Sequence, residues 1–118
     1  MIRGLGIDVI ALTRINTLRD QDGFLRTVLT DDEIGESTGR HDIYQPWIKF
    51  AVKEAVFKAL GSGLTLGSLW HEIAVRTTDL VELRGKMKEL ALQRSVRSIH
   101  YTYATSQHYI VAVVLLEQ

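Results

Sequence analysis

The stretch from Pro46 to Gly61 constrains the fold more than any other in this chain. Proline suits the first turn of a helix, where its missing amide hydrogen is not needed, and glycine suits the position just past the end. Between them, at 100° per residue, Ile48, Ala51, Val52, Ala55, Val56 and Ala59 fall on one broad apolar face. Small residues on that face let the helix lie close against a sheet. At 118 residues the chain has the size of one compact domain, 1–118, so that sheet must come from the segments on either side.

Ile2 to Ile10 reads as a buried strand, and its Gly4 and Gly6 let another backbone come close. Leu12, Ile15 and Leu18 have helical spacing. Asp20 to Gly23 turns the chain, and Phe24 to Leu29 is a short helical or extended piece. Thr30-Asp31-Asp32-Glu33 is a capping box, so a helix starts there and frays before Gly39. Trp70 to Thr77 alternates as a half-exposed strand, and Leu80 to Leu83 reads as another that Gly85 turns. Lys86 to Gln93 is helical, Ser98 to Tyr103 alternates, and His108 to Glu117 is a long apolar run that reads as a buried strand. The order β-α-(α)-α-β-β-α-β-β gives an α+β class, with an antiparallel sheet packed against the long helix.

Composition excludes several functions. The 14 basic residues match 14 acidic ones, which weighs against a general nucleic-acid coat. No run approaches the ~18–20 apolar residues of a membrane helix. Met1 is followed by Arg3 and Asp8, unlike a signal peptide, so a cytoplasmic location is expected. With 0 cysteines, thiolate nucleophiles and thiolate zinc sites are absent, and a metal would rest on carboxylates or on the 4 histidines. Residues 1–46 carry 5 Arg against 8 acidic residues, and residues 47–118 carry 9 basic against 6 acidic. A split of −3 and +3 arises often by chance, but it also puts the cations with the long helix.

Asp8 lies in an apolar strand, where a carboxylate is costly unless something binds it. It can cap the helix near Leu12, pair with an arginine, or serve as a ligand. On the long helix, Glu54 and Lys58 are four residues apart on one face, and Lys49 and Lys53 form a second pair on a face roughly 100° away. Phe50 and Phe57 lie between these faces, and Gly61-Ser62-Gly63 follows directly. Such a helix can be an ordinary solvated face. It can also hold a hard divalent cation and a phosphate together, with oxygen ligands for the one and lysines for the other.

The combination resembles a family. Gly6-Ile7-Asp8-Val9-Ile10 with Arg14-Ile15, and Phe50-Ala51-Val52-Lys53-Glu54-Ala55-Val56-Phe57-Lys58-Ala59-Leu60-Gly61-Ser62-Gly63, are similar to the two signatures of the small holo-acyl-carrier-protein synthases. These are the short, single-domain class of 4′-phosphopantetheinyl transferases. Phe24 to Thr30 with Glu33, Trp70-His71-Glu72-Ile73, and Ile99-His100-Tyr101-Thr102 with Tyr109 resemble its other segments in order. The resemblance implies the 4′-phosphopantetheinyl transferase fold. It also implies Mg²⁺-dependent transfer of phosphopantetheine from coenzyme A to a serine of an acidic acyl carrier protein, releasing adenosine 3′,5′-bisphosphate. By position, Asp8 and Glu54 are the implied metal ligands. Lys58 contacts the pyrophosphate, Lys49 and Lys53 add positive charge, and Gly61, Ser62 and Gly63 let backbone approach the nucleotide. Glu54 is the first choice of base, directly or through a metal-bound water. Arg14, Leu18, Phe24 and Arg26 are the implied carrier-protein surface. A homotrimer with sites between subunits is implied too. The uniformly apolar last strand fits it, because a lone chain of this length would have to cover that strand on both faces.

Some positions depart from the family pattern. Lys49 stands where arginine is frequent, and cannot make its bidentate phosphate contact. Thr27 replaces an expected arginine, with Arg26 one place early. Asp79-Leu80 replaces a Gly-Pro pair. Thr105 takes the place of a second histidine near the nucleotide, and His108 comes three residues late. His100 remains, either at the nucleotide or as a structural side chain. Thr105 motivates an alternative, a catalytically weak relative that binds carrier protein or nucleotide without efficient turnover. A nucleotide- or RNA-binding module using Arg84, Lys86, Lys88, Arg94 and Arg97 is a third reading, disfavoured because no aromatic residue lies among them for stacking.

Overall fold

The computed structural model describes residues 1–37, 43–61, 69–76 and 80–118. The chain runs β1 (Ile2–Ala11), α1 (Leu12–Asn16), α2 (Gln21–Val28), α3 (Asp31–Ser37), α4 (Gln45–Leu60), β2 (Ile73–Val75), β3 (Val81–Leu83), α5 (Gly85–Gln93), β4 (Ser98–Thr105) and β5 (Tyr109–Glu117). An antiparallel sheet in the order β1-β5-β4 packs on α4, and β2-β3 form a separate antiparallel pair. This is the α+β architecture expected, with one helix more than the order read from the sequence.

The join between α4 and the sheet depends on missing side chains. A Cβ on Gly4 would run into the carbonyl oxygen of Ala59, and one on Gly6 into that of Ala55. Helix and strand therefore meet backbone to backbone. Gly6→Ala should push α4 off β1 and cost about 1–3 kcal/mol, the usual range for an overpacked core. A urea melt checks this, and an unchanged midpoint would contradict it. The helix ends as its sequence dictates, with Pro46 in the first turn and Gly61 at φ +69°.

Several expectations need correction. Asp20 to Gly23 is no free turn: Asp20 caps α2, accepting a hydrogen bond from the Gly23 amide at 2.9 Å. The segment from Trp70 is not a half-exposed strand. Residues 69–72 form a 3₁₀ turn, and Ile73, Ala74 and Val75 of β2 are all buried. Gly85 opens α5 at φ +54° instead of ending β3, and Glu72 caps that helix from outside, accepting from the amides of Lys86 and Met87 at 3.3 Å. The capping box is as read: Thr30 Oγ1 accepts from the Glu33 amide at 3.2 Å, and Glu33 accepts from the Thr30 amide at 2.8 Å. Gly39 and Asp79 lie outside the described residues.

The last strand is covered on one side only. Ile110, Ala112, Val114 and Leu116 are buried beneath α4. The opposite face pairs Leu5 with Leu115, Ile7 with Val113 and Val9 with Val111. Of these, Leu5, Ile7 and Val9 are 50–57% exposed.

Candidate active site

Asp8 is carried on the face of β1 that meets α4, and its side chain is mostly buried. Its partner is Lys58, from the last turn of α4, whose ammonium donates to Asp8 Oδ1 at 3.0 Å and to the Ile7 carbonyl at 3.1 Å. The alternative pairing of Asp8 with an arginine is thereby set aside. Glu54 sits one turn before Lys58 on α4.

Asp8 and Glu54 both line a cavity of about 110 Å³ that opens between β1, α1, α2 and α4. Its apolar wall includes Leu18, Phe24, Trp47 and Phe50, and Arg14 adds a cation. Phe24 stacks on Trp47 with ring centroids 5.5 Å apart and meets Phe50 edge-on at 5.1 Å, so the wall is held by ring-to-ring packing. Burial, and then the like charge of Asp8, push the Glu54 carboxyl above the ordinary glutamate range, against weaker pulls from Lys58 and Arg14.

Among the described residues no group of three or more His, Asp or Glu side chains comes together. The donor set on offer is two carboxylates, one of them made reluctant to ionise by its burial and then by the charge of the other. Lys58 partly offsets the two charges, and the pair suits a hard divalent cation, which takes one or two carboxylates and fills its remaining positions with phosphate oxygens and water.

The other predicted residues divide. Arg14, Leu18 and Phe24 line the cavity with the carboxylates, whereas Arg26 lines a different one, of about 280 Å³, with Asp22, Leu25, Ile34, Ser37 and Pro46. Lys49 and Lys53 do not face the site at all, contrary to expectation. Lys53 is fully buried, with its ammonium 2.5 Å from Glu33 Oε1 and donating to the carbonyls of Val28 at 2.7 Å and Trp70 at 3.1 Å. Lys49 donates to the Glu33 carbonyl at 2.9 Å and approaches Glu36 at 3.7 Å. Both ammonium groups are enclosed by α3 and its neighbours, so neither reaches the cavity. Gly61 is in place after α4, and Ser62 and Gly63 lie outside the described residues. His100 and Thr105 are on β4, separated from β1 by β5, and do not line this cavity. His100 instead meets Glu117 at 3.2 Å on the exposed surface. Trp47 was missed as a lining residue, although it falls seven residues before Glu54 and so on the same side of the helix.

Residues 4–114 match the family model of the 4′-phosphopantetheinyl transferase superfamily. A holo-acyl-carrier-protein synthase of Vibrio cholerae is 34% identical over 125 residues, covering 100% of this chain and 99% of the relative. The chain belongs to the holo-acyl-carrier-protein synthase family. The fold agrees: the Neisseria meningitidis synthase superposes with a TM-score of 0.85 at 23% identity, each chain covered over 100% of its length. A Bacillus anthracis synthase, solved in complex with coenzyme A (3′,5′-ADP), superposes with a TM-score of 0.74 at 28% identity, covering 98% of this chain and 96% of that one. Within this synthase fold, the carboxylate pair and its aromatic wall occupy the junction of the first strand with the long helix. Of the basic residues read as a possible nucleic-acid face, Arg94 turns its guanidinium back onto the carbonyls of Leu60 and Arg3 at the end of α4, and Arg84 pairs with Glu82 at 3.4 Å. No described helix is long and apolar enough to cross a membrane.

Proposed function

We propose that this chain, as one transferase domain over residues 1–118, moves 4′-phosphopantetheine from coenzyme A to a serine of an acidic acyl carrier protein in the cytoplasm. The observation that carries the reading is the convergence of Asp8 and Glu54 on one cavity, with Lys58 bonded to Asp8, in a chain of this family.

Asp8 and Glu54 would hold Mg²⁺, which when bound neutralises phosphate charge and so favours phosphoryl transfer. Lys58, half exposed and bonded to Asp8, contacts the pyrophosphate and steadies the leaving phosphate. Glu54 takes the serine proton, directly or through a water. A bond forms between the serine oxygen and the phosphorus that bears pantetheine. The pyrophosphate bond breaks, and adenosine 3′,5′-bisphosphate leaves. Arg14, with Leu18 and Phe24 beside it, offers one cation and an apolar step to the acidic carrier.

The bare outer face of the sheet supports a homotrimer. Leu5, Ile7 and Val9 with their cross-strand partners form an apolar patch of the kind that subunit contacts cover. In such an assembly a neighbouring β4, with its His100 and Thr105, completes the nucleotide side of the site.

Incubation of the purified protein with coenzyme A, Mg²⁺ and an apo carrier protein, read by intact mass, tests the reaction. A mass gain equal to one phosphopantetheine is expected, and none across a panel of carriers would overturn the reading. Light scattering of the same protein should give three times the chain mass.

A pH dependence follows from Glu54. Its folded-state pKa lies above the unfolded one, so on acidification it takes its proton earlier than an ordinary glutamate. Any stability it contributes is present below the unfolded pKa and lost as pH rises through the folded value. Affinity of the coenzyme-free protein for a divalent cation should therefore fall on acidification, with a midpoint above the usual glutamate range. Calorimetric titrations at a series of pH values measure it, and a midpoint within that range would contradict the assignment.

A further inference from the structure

We propose that Lys53 and Glu33 form an internal clamp that sets the rotation of α4, and with it the position of the Glu54 carboxylate against Asp8. This rests on the reading of function above, and makes Lys53 a positioning residue instead of a coenzyme ligand. The contact between α4 and β1 is glycine against alanine, Gly4 to Ala59 and Gly6 to Ala55. That contact brings the backbones close, and around it the apolar side chains of α4 pack beneath β5 and among the rings of Phe24 and Trp70. Apolar packing is non-directional, and buried ionic groups add directional bonds to it, with the setting of register as their best-attested role.

The Lys53 ammonium provides three directional bonds to three different segments: Glu33 at the start of α3, the Val28 carbonyl at the end of α2, and the Trp70 carbonyl in the 3₁₀ turn. Glu33 is tied down in turn, with Oε1 accepting from the Thr30 amide and Oε2 from the Val75 amide at 2.8 Å each. Lys49, one turn earlier on the same side of α4, donates to the Glu33 backbone carbonyl. Neighbouring residues on a helix point about 100° apart. Fixing Lys53 on one side therefore fixes where Glu54 projects on the other. The bond to Val28 also anchors the helix that carries Phe24, so the same ammonium holds the aromatic wall of the cavity.

The test compares wild type with Lys53→Met/Glu33→Gln, which removes both charges together and keeps their shapes. The affinity of the coenzyme-free protein for Mn²⁺, counted as free ion by electron paramagnetic resonance, is the main readout. Half-saturating Mg²⁺ in the transfer assay is the second. A group bonded directly to a metal ligand is worth about 10–100-fold in affinity, and Lys53 acts through the helix backbone, so a loss near the lower end, about tenfold, is expected in both. A merely structural role would lower the melting temperature and leave both constants where they were, so a folded double variant with wild-type Mn²⁺ affinity overturns the clamp. Should the double variant not fold, Lys49→Met is read in its place: a smaller loss of Mn²⁺ affinity supports the clamp, and an unchanged constant overturns it. Absence of transfer by the wild type would instead overturn the functional reading, which keeps the two failures apart.

Discussion

Asp8→Asn should lower the rate of transfer by at least about 10²–10³-fold, the loss seen when one preorganised electrostatic group is removed from a reacting centre. Asparagine keeps the shape of the side chain on β1, so the close seat of α4 on the sheet is untouched. What goes is one of the two carboxylates on the cavity, and with it half of the oxygen donors available to a divalent cation. Lys58 loses its carboxylate partner but keeps the Ile7 carbonyl. The Lys58 side chain is 52% exposed, so the ion pair itself contributes only about 0–1 kcal/mol. Rate and stability should therefore separate, with the melting temperature nearly unchanged while transfer collapses. The pH behaviour should shift as well: the charge of Asp8 is one cause of the raised Glu54 carboxyl, so the acid midpoint moves down in the variant. Initial rates by intact mass, with a melt on the same sample, decide the matter. Retention of more than about a tenth of wild-type activity would remove Asp8 from the site, since loss of an essential electrostatic contact costs more than that.

Elements whose signals are local were legible in the sequence. The boundaries of α4 are written in Pro46 and Gly61, the start of α3 in Thr30 and Glu33, and the close approach of strand and helix in Gly4 and Gly6. Asp8 stands out as a carboxylate in an apolar strand, whereas Glu54 reads as half of an ordinary helical Glu–Lys pair, and the family resemblance supplied the link between them. What could not be read was the direction of the lysines. Helical spacing puts Lys49 and Lys53 on one side of α4 but does not say what packs there, and a charged side would ordinarily face water. Their partners are Glu33, sixteen or more residues away, Glu36, and the carbonyls of Val28 and Trp70 in two other segments. One hint was available: Lys53 falls beside Val56 and Leu60 around the helix, at the margin of the apolar face, where a lysine needs a buried counterion. Strand β2 was misread for a similar reason. Alternation signals one buried face, whereas Ile73, Ala74 and Val75 are enclosed by long-range packing on both.

Glu33→Gln alone should be among the most destabilising single changes available to this chain. It leaves the Lys53 ammonium without its counterion in a place with no access to water, and breaking a buried pair from one side costs about 3–5 kcal/mol. Glutamine can still accept from the Thr30 and Val75 amides, so the loss reports the missing charge and not the missing cap. The Lys53→Met/Glu33→Gln variant should recover most of the stability, because no buried charge is then left unpaired. The pH dependence supplies an independent check. Burial already lowers the Lys53 pKa, and Glu33 is the main influence holding it up. With Glu33 gone the folded-state pKa falls further below the unfolded one, so the unfolded chain binds the extra proton over a wider range. Stability of the single variant should then rise with pH from the lowered folded-state pKa up to the ordinary lysine value, and more steeply overall than in wild type. Urea denaturation of the three proteins at several pH values measures every part of this. A Glu33→Gln variant as stable as wild type, or one whose stability is flat with pH while the double variant is no better, would mean that Lys53 is not held by an ion pair at all.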